Sequence, residues 1–243
     1  RFHFDHFFNV LPDFINRMPE FKPGWAVDVI RDKADILYPG CRFDPVAQEP
    51  APLPDGPPII IWNHRWEFDK NPGTFFSALD RVVQMGIDFR LAILGENCQV
   101  KPRAFIDART RFGAKVVQYG YVASKRDYTD WLGMGLVAVS TAIQENFGIA
   151  MVEAMRHGCL PLLPRRLSYP EILPKEFHDQ FLYRDDDDLV DKLAMMLLHP
   201  DRFVGQRPVL SDMMARHAWS CVIDRYDREL DLLVEGTGQR AED

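Results

Sequence analysis

From Pro57 onward, short runs of β-branched and aromatic residues alternate with stretches whose apolar residues recur at helical spacing. That alternation constrains the fold more than any other feature, because strands joined through helices pair in parallel and need a helical layer on each face. The runs that predict strands are 59–62, 89–94, 115–119, 136–140, 159–163 and 181–183. Between the first two, Phe75, Phe76, Leu79, Val82 and Val83 line one side of a predicted crossover helix over 74–86. Weaker helical patterns cover 102–112 and 128–133, and Leu189, Val190, Leu193, Met196 and Leu197 share one face of 189–198. The reading is an α/β chain with a Rossmann-like parallel sheet and helices on both faces.

Residues 1–56 do not keep this rhythm. They hold an aromatic helix face (Phe4, Phe7, Phe8, Leu11, Phe14, Ile15) that needs a surface to pack against, an apolar run at 34–38, and six of the eighteen prolines between Pro45 and Pro58. We read 1–56 as the remnant of a preceding domain plus a linker, 57–218 as the Rossmann-like domain, and 219–243 as a terminal helix ending near Gly236 with a frayed tail. The expectation is then that the chain is a fragment.

Thirty-six acidic against twenty-nine basic side chains give a net charge of −7, so no broad positive field draws this chain to nucleic acid or an anionic membrane. Arg103, Arg109, Arg111, Lys115, Lys125 and Arg126 still form a locally basic region able to touch a phosphate backbone. Cys41, Cys98, Cys159 and Cys221 lie far apart with no CxxC pair, as expected of reduced thiols rather than disulfides or a zinc knuckle. No apolar stretch is long enough to span a bilayer and no signal peptide is recognisable, so the expected location is cytoplasmic. The oligomeric state is not legible.

The chemistry concentrates in two stretches. In 140–158 a predicted strand runs into a loop with Glu145 and Gly148, then into a short helix that carries Glu153 and stops at Gly158. Backbone N–H groups at such a helix start suit a diphosphate, and a carboxylate on either side suits vicinal hydroxyls, which together describe a nucleotide sugar. The plainer reading makes Glu145 a helix-start charge and Glu153 a solvated helix residue. In 59–72, Arg65 and Lys70 follow the first strand directly and reach the same sheet edge if the strands are parallel. Two cations there neutralise a diphosphate without a metal, and the plainer alternative is a surface loop paired with Glu67 and Asp69.

Arg65 with Lys70, Leu94-Gly95-Glu96, Gly120-Tyr121-Val122 and the Glu145/Glu153 pair, in that order, resemble the carboxy-terminal domain of a family 4 retaining glycosyltransferase of the GT-B fold. Trp62 to Pro72, Gly120 to Lys125 and Pro164 to Pro174 are similar to the tRNA-queuosine mannosyltransferase group within it. The resemblance implies transfer of a hexose, mannose from GDP-mannose in that group, to queuosine in tRNA, with no resident cofactor and no metal. It assigns Glu145, Arg65 and Lys70 to catalysis. Donor binding falls to Arg65, Lys70, Gly95, Glu96, Tyr121, Asn146, Phe147, Gly148, Ile149 and Glu153, with Glu145 beside the transferred sugar and Glu153 at the ribose.

Two departures stand out: His64 where such enzymes carry glycine, and an amino-terminal Rossmann domain reduced to a remnant. The expectation is that this chain alone binds a guanine nucleotide sugar weakly and transfers little. The alternatives are a non-catalytic nucleotide-sugar-binding domain, or a family 4 enzyme with another donor and a glycan or small-molecule acceptor. A glycosidase using Glu145 and Glu153 would need the two carboxyls across a sugar rather than around a phosphate. Asp185 to Asp188 are read as caps of the following helix rather than a metal site, and the seven histidines show no metal spacing. His3 and His6 are read as packing residues of the aromatic helix. Arg165 and Arg166 suit either a ligand contact or a solvated loop.

Overall fold

A computed structural model describes residues 1–43, 50–95 and 102–238. Helices α1 (Phe2–Asn16) and α2 (Ala26–Lys33) precede the sheet. Then follow β1 (Ile59–Trp62), α3 (Pro72–Gln84), β2 (Arg90–Leu94), α4 (Arg103–Phe112), β3 (Val116–Gly120), α5 (Lys125–Met134) and β4 (Val137–Val139). The chain continues through α6 (Ile149–Arg156), β5 (Leu160–Pro164), α7 (Tyr169–Ile172), α8 (His178–Phe181), β6 (Leu182–Tyr183), α9 (Asp186–Leu198), α10 (Arg207–Met214) and α11 (Trp219–Gly238).

All six predicted strands form, within one or two residues of their expected bounds, and every pair is parallel in the order β3-β2-β1-β4-β5-β6. Where a strand is shorter than expected the hydrogen bonding still reaches past it: Leu136 N–H donates to the Ile59 carbonyl (2.9 Å) and Ser140 N–H to that of Leu162 (3.0 Å). The sheet core is apolar on both sides, since all four residues of β1 are buried. Helix α3 packs on α4 and α9, and α6 on α5 and α10, the two groups covering opposite faces. Aromatic rings fill the first layer, with Trp66 stacked on Phe105 at 4.4 Å and Trp62 against Phe75 at 4.6 Å.

Strand order reverses between β1 and β4. Chain leaving β1 turns to one side and chain leaving β4 to the other, which opens a crevice beyond their carboxyl ends where ligands of such sheets sit.

Two expectations change. The aromatic face of α1 finds a partner in the unforeseen α2: Phe8, Ile15 and Val27 form a small separate core, while Phe7 and Phe14 stay exposed. Helix α11 runs to Gly238, within two residues of its expected end near Gly236. His3 does more than pack, as its Nε2 lies 2.6 Å from the Glu145 carbonyl oxygen. The capping expectation holds, with the Asp185 carboxylate accepting from the Asp188 N–H at 2.9 Å. Among the described residues, no helix is long and apolar enough to cross a membrane.

Candidate functional site

The loops after β1 and β4 are stitched together before any ligand is considered. Thr141 Oγ1 donates to the carbonyls of Lys70 (2.8 Å) and Asn71 (2.9 Å), and the N–H groups of Ile143 and Gln144 donate to the Asp69 carbonyl at 2.8 and 3.3 Å. A short 3₁₀ turn over Phe68–Lys70 aims Lys70 inward, where it is only 7% exposed. Its ammonium meets the Gln144 carbonyl at 2.9 Å, Asp69 at 3.1 Å and Glu145 at 3.3 Å. From the far side, Arg166 holds the β4 loop by donating to the carbonyls of Thr141 and Ala142. That makes Arg166 a positioning residue, while Arg165 pairs outward with Asp179.

Glu145 sits at the start of α6. Its Oε1 accepts from the N–H of Gly148 at 3.0 Å and, more weakly, of Phe147 at 3.4 Å, while its Oε2 faces Lys70. Gly148 has φ +99°, and a Cβ there would press on Ile172 and Tyr169 at 3.2 and 3.3 Å, so glycine is what lets the chain enter the helix at this angle. The chain's own carboxylate therefore occupies the amides and the cation that suit an anion. One turn further, Glu153 accepts from Lys125 at 2.9 Å and from the Tyr128 hydroxyl at 3.1 Å. Each of its oxygens keeps a lone pair for another donor.

Lys70, Glu145, Tyr128 and Glu153 line one cavity of about 510 Å³ over the β1/β4 crevice, together with Asn63, His64, Arg65, Asn146, Phe147 and Ile149. Most of the sequence-predicted site is thus brought together. Arg65 is at the rim, its side chain 70% exposed and paired with Glu67 at 3.1 Å. The plainer reading of salt bridges to Glu67 and Asp69 is therefore also realised, but for Lys70 it coexists with the buried contact to Glu145. Gly95, with φ +83°, acts from behind: a Cβ on it would lie 2.7 Å from the His64 carbonyl oxygen. Tyr121 is 63% exposed and outside the cavity lining, after the edge strand β3, two places from β1. Glu96 lies outside the described residues.

Sequence reasoning did not single out Asn63 or Tyr128. Tyr128 reads as one more apolar residue of an amphipathic helix, and only the fold turns its hydroxyl toward Asn63 (3.1 Å) and Glu153. Burial pushes the Tyr128 hydroxyl well above its ordinary range, so it stays protonated and donates. In the basic region, Arg103, Arg111, Lys115 and Lys125 are each paired with an acid, which reduces the positive field it offers. A second cavity of about 370 Å³ lies at the opposite end of the strands, and its two cations, Arg90 and Arg207, are engaged by backbone carbonyls. Among the described residues, no three His, Cys, Asp or Glu side chains are grouped to hold a metal ion.

Two buried histidines set a pH limit. Burial lowers His64 to about 4 against the opposing pull of Glu145, and lowers His217 to about 4 with Arg216 acting in the same direction. The unfolded chain protonates both near 6.5, so stability is complete above that pH and falls as the pH drops toward 4. Urea midpoints should therefore decline from pH 7 to pH 5, on the order of 1 kcal/mol per pH unit for each histidine. A His64→Gln, His217→Gln double variant should flatten the decline; an unchanged slope would assign the acid sensitivity to other groups.

Comparison with known proteins agrees with this fold. The family model described as "Glycosyl transferases group 1" matches residues 45–204. A tRNA-queuosine alpha-mannosyltransferase of Drosophila melanogaster is 34% identical over 215 residues, 85% of this chain. The chain spans 56% of that relative's length. Among solved structures, the lipopolysaccharide outer core galactosyltransferase WaaB in its apo form superposes with a TM-score of 0.64 at 17% identity, over 86% of this chain and 59% of its own. The catalytic domain of cholesterol-alpha-glucosyltransferase from Helicobacter pylori gives 0.56 at 16% identity, over 67% of this chain and 100% of its own. The pneumococcal O-GlcNAc transferase GtfA in complex with UDP and GlcNAc gives 0.64 at 12% identity, over 95% of this chain and 44% of its own.

Proposed function

The chain belongs to the glycosyl transferases group 1 family, and from that premise we propose that it is the donor-binding part of a retaining hexosyltransferase, with residues 57–218 as the nucleotide-sugar domain. The observation that carries this reading is the pair of buried Lys70 with half-buried Glu145 at 3.3 Å on the wall of the crevice cavity. A cation and two helix-start amides held by one carboxylate are an anion site with a group that a diphosphate can displace.

In this proposal Arg65 closes over the diphosphate from the rim while Lys70 and the amides of Phe147 and Gly148 take its inner oxygens. As the bond from the anomeric carbon to the phosphate oxygen breaks, negative charge grows on the leaving diphosphate, and these donors stabilise it. Glu145, released from the amides, accepts hydroxyls of the hexose as positive charge develops on the ring. Asn146 and Ile149 border the sugar, and Glu153 receives the ribose hydroxyls. The donor in this reading is GDP-mannose and the acceptor queuosine in tRNA; the name of the 34% identical relative supports the mannose and the acceptor.

Thermal-shift titration with GDP-mannose, GDP and UDP-glucose tests the donor. A ligand at a hundredfold excess over its Kd adds about 2.7 kcal/mol, a rise of several degrees. GDP-mannose and GDP should give that rise and UDP-glucose should not, whereas no shift with any of the three would overturn the reading.

A further inference from the structure

His64 follows β1 by two residues and is 3% exposed, yet its Nε2 has no hydrogen-bond partner. A buried polar atom left unmet costs about 1–3 kcal/mol, and native chains keep such groups mainly where a ligand or a reaction uses them. The residue belongs to the wall of the 510 Å³ cavity alongside Lys70 and Glu145. It is also held in place. Gly95 backs onto its carbonyl oxygen, and its ring lies edge-on to Trp62 at 5.3 Å.

We propose that His64 is a sugar-binding residue, whose neutral imidazole hydrogen-bonds a hydroxyl of the donor's hexose beside Glu145 and thereby helps select the hexose. This inference rests on the nucleotide-sugar reading and adds a residue that reading does not use. A neutral imidazole offers one N–H and one lone pair, the complement of a hydroxyl, which both donates and accepts. A phosphate oxygen only accepts and favours an imidazolium, and the cations for it already stand at Arg65 and Lys70. The charged groups facing the ring are Glu145, Lys70 and Asp69, and burial outweighs them in keeping it uncharged. Neighbouring Asn63 repeats the pattern: its Nδ2 donates to the Ala150 carbonyl (2.7 Å) and the Tyr128 hydroxyl (3.1 Å), while its Oδ1 is buried without a partner. A hexose hydroxyl group entering here meets two unused polar atoms on adjacent residues.

Calorimetric titration of this chain with GDP and with GDP-mannose separates a sugar contact from a phosphate contact or a structural role. His64→Ala should weaken GDP-mannose about tenfold while GDP changes less than twofold, and His64→Gln, whose side-chain amide reaches toward the Nε2 position, should recover most of the loss. Equal weakening of both ligands, or of neither, would overturn the proposal. If His64→Ala does not fold, the wild-type chain labelled with ¹⁵N-histidine serves instead. Its His64 Nε2 resonance should move on adding GDP-mannose and not GDP, and a resonance indifferent to the sugar overturns the assignment. Failure of the wild-type chain to bind GDP or GDP-mannose would instead overturn the nucleotide-sugar reading itself.

Discussion

Lys70→Met is expected to abolish measurable binding of GDP and GDP-mannose, a loss of at least ~10²-fold, and to lower the melting temperature as well. Two effects combine. The ammonium is the inner cation of the crevice, and without it a diphosphate meets only the rim guanidinium of Arg65 and the helix amides. Its removal also leaves the carboxylates of Asp69 and Glu145, at 3.1 and 3.3 Å from Nζ, enclosed with no counter-charge. Breaking one side of a fully buried ion pair typically costs about 3–5 kcal/mol, and with these carboxylates half-buried the loss should be smaller. Methionine keeps the stem length, so the comparison isolates the charge. Calorimetry gives the affinity and thermal denaturation the stability; a variant that still bound GDP at wild-type strength would remove Lys70 from the donor site.

Glu145→Gln is expected to separate binding from transfer. The glutamate now accepts from the Gly148 and Phe147 amides and pairs with Lys70, so it competes with an incoming diphosphate. Neutralising it should leave GDP affinity intact or raise it, by about 3- to 10-fold, the worth of one charge-assisted contact no longer broken. With an amino-terminal Rossmann domain supplied in the same chain, hexose transfer should nonetheless fall by at least ~10²-fold, as is typical when a group aimed at the developing charge is removed. Calorimetry with GDP and a radiolabelled mannose-transfer assay read the two quantities. A parallel loss of binding and transfer would mean that Glu145 holds the donor rather than the sugar.

Much of this was legible before any coordinates. Ile59 to Trp62 is an unbroken apolar run, as suits a strand buried on both faces, and the alternation of short β-rich runs with stretches of helical spacing located the other five strands. Gly148 and Gly158 marked the ends of α6 because glycine there relieves a left-handed backbone. The elements that escaped notice are short or carry buried charge. Helix α2 spans eight residues with a charged half, and α10 begins with Arg207, a cation that is buried because the carbonyls of Ala51, Gly133 and Gly158 surround it. Lys70 and Glu145 were placed at one sheet edge from parallel pairing alone. That they touch depends on β1 and β4 being neighbours, a strand order no local pattern encodes. Tyr121 shows the converse, since the Gly120-Tyr121-Val122 motif that suggested it follows an edge strand, and its side chain stands exposed outside the crevice cavity.

The hydrogen bonds from Ile143 and Gln144 to the Asp69 carbonyl, with Thr141 bridging to Lys70, carry a lesson for recombination among relatives. Neither loop is a self-contained cassette. A chimera that inherits one from each parent, with its crossover anywhere between them, splits a matched set, whereas a swap that carries both loops moves the recognition chemistry intact. Diversity in donor choice should accordingly be inherited as covarying pairs on the two sides of that seam.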